Sequence, residues 1–550
     1  MSPNPFRPYF PAFTHSANAS WVYLDSAATT QKLQTVIDIT DQYYQSSVNV
    51  HRSSYKQASD TTQKFEDARA VIQNFIHAAD SREIVWTKGA TESINLLAAC
   101  IPRASFRKRQ NIVISALEHH ANIVPWQILA EQMGLQIKVM PITNYGVLDI
   151  KKGLEVIDQN TALVAIGHVS NALGNINPVK LIIAKAQAVG ALTVVDGTQA
   201  VSHIQVDVQE LGCDFYVFSS HKMFGPTGVG VLYGKLALLE IMPPYQTGGE
   251  MIKTVSFEGS EFLGSPLKFE AGTPNIAGVL GFAVASSFIQ EHRDGIVKQE
   301  DYLKCYLQQR LSKIEGLTIW GDLNNKIATF SFTVSGVTHY DLGSYLNTQN
   351  ISVRVGHHCA MPLMASLGIN GTIRVSIHCY NTEQELDKFV EALEAGVHLF
   401  TKGEAVKSVD TKIDTQGELA QAIADAKSWD EKFRQIMLAG KTLPRLTQGQ
   451  HTKDLEVYGC ESQVWVKCLL NDTVLEIQGD SPSKIVRGLL AIIFEALEGK
   501  KPATVLAFDL DGHLRSIGLA RYLSDSRANG IKAVVNNIFD FCKADSKNEK

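Results

Sequence analysis

The chain has 550 residues, 45% of them hydrophobic and 19% charged, with a formal net charge of −5 at pH 7. A single core stops growing at roughly 250–300 residues, so at least two independently folded bodies are expected. The composition excludes wholesale disorder, and the lack of a basic stripe argues against nucleic acid as the main ligand.

The amino terminus, MSPNPFRPYFPAF, is broken by proline and lacks the apolar run of a signal peptide. Apolar stretches such as Leu489 to Phe494 are far too short to span a bilayer, so no membrane partner is expected. From about Asn111 to Gly234, the runs NIVISAL, QIKVMPI, ALVAIGHV, ALTVVDG, FYVFS and GVGVLYG alternate with helix-like segments such as Val179–Val189. That alternation predicts an α/β layered domain with a largely parallel sheet, whose ligands collect beyond the carboxyl ends of the strands. The polar clusters fall at those ends: Glu118-His119-His120, Ser170-Asn171, Asp196-Gly197 and Ser219-Ser220-His221-Lys222.

A large domain over about 22–295 is therefore expected. A smaller α+β lobe over about 296–402 follows, with IATFSFTV and IRVSIHC as strands. The polar, aromatic-free stretch 403–417 reads as a linker. Flexible chain of that length has a root-mean-square span of about 20 Å and stretches to about 50 Å. Residues 418–550 open with an amphipathic helix from Leu419 to Ala439. They continue through strand-like DLEVYG, SQVWVKCLL and VLEIQGD into helical IVRGLLAIIFEAL, a second compact α+β domain. The eight cysteines are scattered singly with no C-x-x-C pair, which suits reduced thiols of the cytoplasm rather than a disulfide framework.

The segment FSSHKMFGPTGVG puts Lys222 directly after a strand end, between Ser219, His221 and a run of glycines. An amine so placed suits an aldehyde cofactor anchored as a Schiff base, with serine, histidine and backbone amides holding its phosphate. VVDGTQA places Asp196 where a carboxylate would pair with a protonated pyridine nitrogen, and Gln199 one turn on, facing a ring hydroxyl. LEHHANIVPW ends a strand at His119, a ring to stack on the cofactor and relay protons. TKGATESINL starts a helix at Gly89-Ala90-Thr91, a phosphate-binding amino terminus. Each has an ordinary alternative, as a turn cap, a core histidine or a helix cap; together and in this order they favour a pyridoxal-phosphate site.

With these motifs on the page, residues from about Tyr23 to Leu399 resemble fold-type-I pyridoxal-phosphate enzymes of the class V aminotransferase family. Within it they resemble specifically the group II cysteine desulfurases of the SUF and CSD type. The motifs are LDSAAT, NVHR, EHHANIVPW, VSNALG, VVDGTQA, SSHKMFGPTG, FEAGTPN and VGHHCAMP. The resemblance implies Lys222 as Schiff-base lysine, His119 as stacking and proton-shuttling residue, and Asp196 and Gln199 as ring contacts. It implies phosphate contacts from Thr91, Ser219 and His221, with Thr273 reaching the cofactor of the other subunit in a homodimer. Asn171 and Arg374 would hold the amino-acid substrate, Arg374 by a bidentate bond to its carboxylate. Ala90 and Ser220 depart from the commoner threonine and glycine, which implies slightly altered phosphate contacts. Tyr55 and HRSSY lean to the CSD branch and VGHHCAMP to the SUF branch.

Cys359 follows His357 and His358 in a glycine-entered loop ahead of a proline, as suits a nucleophilic thiol with imidazoles beside it. The rival reading is a metal held by His357, His358, Cys359, His378 and Cys379. Consecutive residues rarely converge on one ion and the spacing matches no common zinc pattern, so no metal is expected. In the carboxyl-terminal domain, VYGCESQVW sets Cys460 in a tight turn between strand-like segments; the ordinary alternative is a small buried residue. WDEKFRQIMLAGKTLP, GCESQVW, GDSPSKIVRGLLA and SRANGIKAV resemble SufE and CsdE sulfur acceptors, which implies Cys460 as persulfide acceptor.

The two resemblances imply a homodimeric desulfurase that converts L-cysteine to L-alanine, leaves a persulfide on Cys359 and passes its outer sulfur to Cys460. Iron–sulfur scaffolds or a tRNA-modifying pathway are the recipients that such relatives feed. The competing expectations are a selenocysteine lyase, or another class V aminotransferase or lyase with a non-catalytic docking domain.

Overall fold

The computed structural model describes residues 4–18, 20–101, 109–401, 417–427, 429–459, 462–471, 473–520 and 525–548. The chain divides into two compact units, one of residues 1–333 and 350–391, the other of residues 334–349 and 392–550. The expected linker falls almost entirely outside the described residues.

The main sheet of the first unit has seven strands: β1 (Ile84–Thr87), β2 (Asn111–Ser115), β3 (Gln136–Met140), β4 (Thr161–Gly167), β5 (Leu192–Asp196), β6 (Phe215–Ser219) and β7 (Gly230–Gly234). Their spatial order is β1-β7-β6-β5-β4-β2-β3. Strands β2 to β6 pair in parallel, while β7 runs antiparallel to both β6 and β1. Six of the seven are the expected runs; β1, a four-residue IVWT segment, adds an edge.

The period of two along each strand feeds two separate cores. Val194 and Val217 join Ile94 and Leu97 of helix α1 (Ala90–Cys100) on one face. Their neighbours Val195 and Phe218 join Phe282 and Ile289 of the long helix α2 (Ile276–Leu311) on the other. A parallel sheet covered on both faces explains why these strands read as nearly continuous apolar runs. Because β2, β4, β5 and β6 run the same way, the residues after Ser115, Gly167, Asp196 and Ser219 gather along one edge. A smaller sheet joins β8 (Leu317–Trp320), β9 (Thr329–Val334), β10 (Arg354–Gly356) and β11 (Thr372–Ser376) in the order β8-β9-β11-β10. It places Arg374 in register with Ser331 and Arg354.

The second unit comprises helix α3 (His339–Thr348), α4 (Trp429–Thr442), a β12 (Trp465–Asn471)–β13 (Val474–Asp480) hairpin, α5 (Lys484–Leu497) and α6 (Asp525–Asn548). Gly488 lets α5 approach α4 closely, since a Cβ there would meet the Ile436 carbonyl oxygen at 1.9 Å. The expected helix from Leu419 to Ala439 is two helices, Glu418–Asp425 and α4. The break comes where the Glu431 carboxylate reaches back to accept the Lys427 amide hydrogen at 2.7 Å. DLEVYG is likewise not a strand: Lys453–Leu455 form a 3-10 turn and Glu456 makes a single bridge to Trp465. Among the described residues no helix is long and apolar enough to cross a membrane.

Candidate active site

A cavity of about 250 Å³ opens along the carboxyl edge of the main sheet, and Lys222, His119, Asp196 and Cys359 all line it. β6 ends at Ser219 and a short 3-10 turn, Ser220–Lys222, carries the lysine inward. That turn is pinned from outside the motif. The His221 carbonyl accepts hydrogens from the Thr30 amide, the Thr29 hydroxyl and the Lys32 amine, each at 3.0 Å. Burial lowers the Lys222 amine from 10.5 to about 8, against the pull of Asp196 in the other direction. Among the described residues the amine makes no hydrogen bond or ion pair, which leaves it available to a carbonyl carbon.

Asp196 ends β5, and its Oδ1 accepts the Thr198 amide hydrogen at 2.9 Å. Only glycine fits at the next position, where a Cβ would lie about 2 Å from the Tyr216 ring. Gln199 is buried and donates from Nε2 to the Ala27 carbonyl at 2.7 Å. His119 accepts the Ala121 amide hydrogen at Nδ1, 3.0 Å, which leaves Nε2 to carry the ring proton. Burial and the nearby Lys222 charge push this ring down to about 4, so it is neutral at pH 7. At the start of α1, the Ala90 amide donates to Ser219 Oγ at 2.8 Å, and Thr91 and His221 line the cavity beside it.

These groups fit pyridoxal phosphate: an unpartnered amine for its aldehyde, a carboxylate for its pyridine nitrogen, and a helix amino terminus with serine and histidine for its phosphate. Ser220 takes no part. It is buried outside the cavity, with its hydroxyl against Gly225. Thr273 is also outside it, exposed in a separate cleft with Lys88 and Gln246.

Arg374 on β11 also lines the cavity, with its side chain 2% exposed. It donates to Asp25 Oδ1 at 2.9 Å and to the Asn171 carbonyl at 2.8 Å, while its buried Nε has no partner. An unpaired buried donor of a guanidinium is costly, which leaves this group with capacity for a further acceptor. Asn171 spends its side-chain amide on the His358 carbonyl, 2.7 Å away, and so ties the arginine to the cysteine loop. In that loop His358 and Cys359 both have left-handed backbone, φ 52° and 55°.

The five sequence-level metal candidates are not brought together. His378 and Cys379 are fully buried elsewhere: the His378 ring lies 2.5 Å from Glu300 and stacks on His203 at 4.7 Å. Cys460 lies outside the described residues. Of its turn, Gly459 has φ 105° and Ser462 Oγ lies 3.2 Å from Ser481 Oγ.

Three cavity or clamp residues escaped the sequence reading as site residues, although two sat inside quoted motifs. Asp25 of LDSAAT joins Arg374 to Arg354. Glu118 of EHHAN lines the cavity with its carboxyl raised to about 7 by burial, held by Ser115, Asn122 and the Gly167 amide. Lys32, lowered to about 8 by burial, is the clamp on His221.

Comparison with known proteins bears on the whole arrangement. Residues 22–389 match the family described as Aminotransferase class-V, and residues 417–542 match that described as Fe-S metabolism associated domain. The chain is 44% identical over 394 residues to a cysteine desulfurase of Yersinia pestis (strain Pestoides F), covering 70% of this chain and 96% of that one. It is 43% identical over 396 residues to a probable cysteine desulfurase of Vibrio cholerae, covering 72% and 98%. Among solved structures it is similar to the cysteine desulfurase CsdA from Escherichia coli, with a TM-score of 0.67 at 38% identity, covering 73% of this chain and 99% of that one. The apo cysteine desulfurase from Thermococcus onnurineus gives a TM-score of 0.68 at 36% identity, covering 72% and 98%.

Proposed function

The chain belongs to the class-V aminotransferase family, and on that premise we propose that it moves the sulfur of L-cysteine first to Cys359 and then to Cys460. It is a cysteine desulfurase of the α/β fold-type-I kind, with a SufE domain associated with Fe–S metabolism fused behind it. We assign residues 1–402 to the desulfurase, 403–417 to a linker and 418–550 to the sulfur acceptor. The protein works as a homodimer in which Thr273 reaches the other subunit's cofactor. Cytoplasmic action suits the chemistry, since a thiol nucleophile and a thiol acceptor need reducing surroundings.

Family membership implies pyridoxal phosphate, which when bound supplies an electron sink for the pair left at the substrate Cα. Lys222 would anchor it, Asp196 would keep a proton on its ring nitrogen, Gln199 would serve its ring hydroxyl, and Thr91, Ser219 and His221 would hold its phosphate. Arg374 and Asn171 orient the cysteine carboxylate, and the neutral Lys222 amine takes the Cα proton. His119, neutral and carrying its proton on Nε2, is placed to move that proton at the substrate's leaving side. The Cys359 thiolate attacks the substrate sulfur. The Cβ–S bond breaks, alanine leaves with its proton restored, and Cys359 retains the sulfur as a persulfide. The Cys460 thiolate then attacks the outer sulfur, so that Cys359 departs as thiolate and Cys460 holds the persulfide. Tethering raises the local acceptor concentration to the order of millimolar. From Cys460 the sulfur goes to a further protein, for which an iron–sulfur scaffold is the reading most in keeping with the fused domain.

One observation carries this: Cys359 lines the same cavity as Lys222, His119, Asp196 and Arg374. Intact mass of the holoenzyme after L-cysteine tests it. Cys460→Ser should gain one sulfur atom on Cys359 and stop after a single turnover, whereas Cys359→Ala should gain none and release no alanine. Wild-type alanine output from Cys359→Ala, or full persulfide passage in Cys460→Ser, sinks the proposal.

A further inference from the structure

Granting Cys359 as the sulfur-attacking thiol, we propose that His120 is the positioning residue that sets where this thiol stands. His120 grips the cysteine turn twice. Its backbone N–H donates to the Cys359 carbonyl at 2.8 Å, and its ring Nε2 accepts the Met361 amide hydrogen at 3.0 Å. Between those grips the Cys359 amide donates to His357 Nδ1 at 3.2 Å, and the His357 and His120 rings lie 5.7 Å apart. The turn needs such bracing, because two successive non-glycine residues, His358 and Cys359, hold left-handed backbone. That conformation persists only where the surroundings over-determine it.

The brace is itself rooted in the buried interior. His120 begins a 3-10 turn, His120–Asn122, whose fully buried Asn122 donates to Glu118 at 2.6 Å and accepts from the Trp126 indole at 2.9 Å. The residue before it is His119, which faces the cavity. One short turn thus carries both the ring beside the cofactor site and the clamp on the nucleophile. The distance between them is set by a single peptide unit rather than by the packing of two lobes.

The test uses the full-length holoenzyme with His120→Ala, His120→Gln and Cys359→Ala. Three quantities are read: bound-cofactor absorbance, its half-saturating response to L-cysteine, and the rate of persulfide formation on Cys359 by intact mass. In His120→Ala the absorbance and the cysteine response should stay within about 2-fold of wild type. Persulfide formation should fall by about 10-fold or more, as misplacing a reacting atom by about an ångström does. His120→Gln, whose side-chain carbonyl can still accept the Met361 amide hydrogen, should recover most of the rate. The inference is overturned if His120→Ala forms persulfide at the wild-type rate. It is also overturned if that variant loses cofactor absorbance in step with turnover, or if glutamine rescues nothing. Should Cys359→Ala keep producing alanine, the nucleophile assignment itself fails, a result distinct from any of these.

Discussion

Asp25 accepts a hydrogen bond from Arg374 at 2.9 Å, and its other oxygen lies 3.3 Å from Arg354. One carboxylate therefore aims two guanidiniums, of which Arg374 is buried and Arg354 exposed. Removing it leaves a buried cation free to swing toward the nearest carbonyls. Charge-assisted hydrogen bonds contribute about 1.5–3 kcal/mol each, so Asp25→Ala should raise the KM for L-cysteine by roughly 10- to 100-fold, with a smaller loss in kcat. Asp25→Asn, which still offers an oxygen to Arg374, should fall between. Initial rates of alanine formation against cysteine concentration decide it, and an unchanged KM in Asp25→Ala refutes it.

Cofactor loading should report the Lys222 amine. Only the neutral amine attacks an aldehyde, and burial lowers this group from 10.5 to about 8. The neutral fraction, and with it the rate of pyridoxal-phosphate uptake by stripped protein, should rise about tenfold from pH 6 to pH 7 and level off above pH 8. Stopped-flow absorbance across pH 6 to 10 measures it. A rate still climbing steeply at pH 10 would mean an ordinary lysine.

Those two positions show what the sequence could and could not disclose. Lys222, Asp196 and His119 were legible because each follows directly on an apolar run that ends in a polar cluster, and parallel pairing brings such ends to one edge. Asp25 was not, because its role arises from a partner 349 residues away. Lys32 likewise acts on a carbonyl 189 residues on. Strand β1 escapes the sequence because three apolar residues and a threonine carry no period, and its place is set by antiparallel pairing with Gly230–Gly234. The split of the Leu419–Ala439 helix is marked by a local bond from the Lys427 amide to Glu431, a feature that apolar periodicity alone passes over.

Acid should weaken the first unit before most of its carboxylates titrate. His119, His168 and His221 are each lowered from 6.5 to about 4, chiefly by burial. Between those values the unfolded chain binds protons that the folded chain refuses, so stability falls as pH drops from about 6.5 toward 4. Glu118, raised to about 7, and His51, raised by Glu66, act in the opposite sense. The three rings outnumber them. Calorimetry of cofactor-free protein should show a Tm several degrees lower at pH 5 than at pH 7, and a shallower slope in His168→Gln. A Tm that is flat or rising on acidification contradicts it.

Within the second unit, the amino end of α5 is held by a carboxylate from another helix. Asp341 on α3 accepts the Ser483 hydroxyl at 2.5 Å, the Lys484 amide at 2.8 Å and the Ile485 amide at 3.2 Å. Ser483 in turn accepts the Val486 amide hydrogen at 3.2 Å as the cap of the same helix. Three of the four amides that a helix start leaves unpaired are thus satisfied, with a negative charge at the positive end of the dipole. Asp341 is 1% exposed, so water cannot replace it without local opening. Loss of a cap costs about 0.5–2 kcal/mol, and Asp341→Ala should speed hydrogen exchange at the amides of residues 484–487 by about 10-fold. Exchange in Asp341→Asn should rise less, because the amide oxygen still accepts. If peptides over 484–487 exchange alike in Asp341→Ala and wild type, the carboxylate is not what holds this helix start in place.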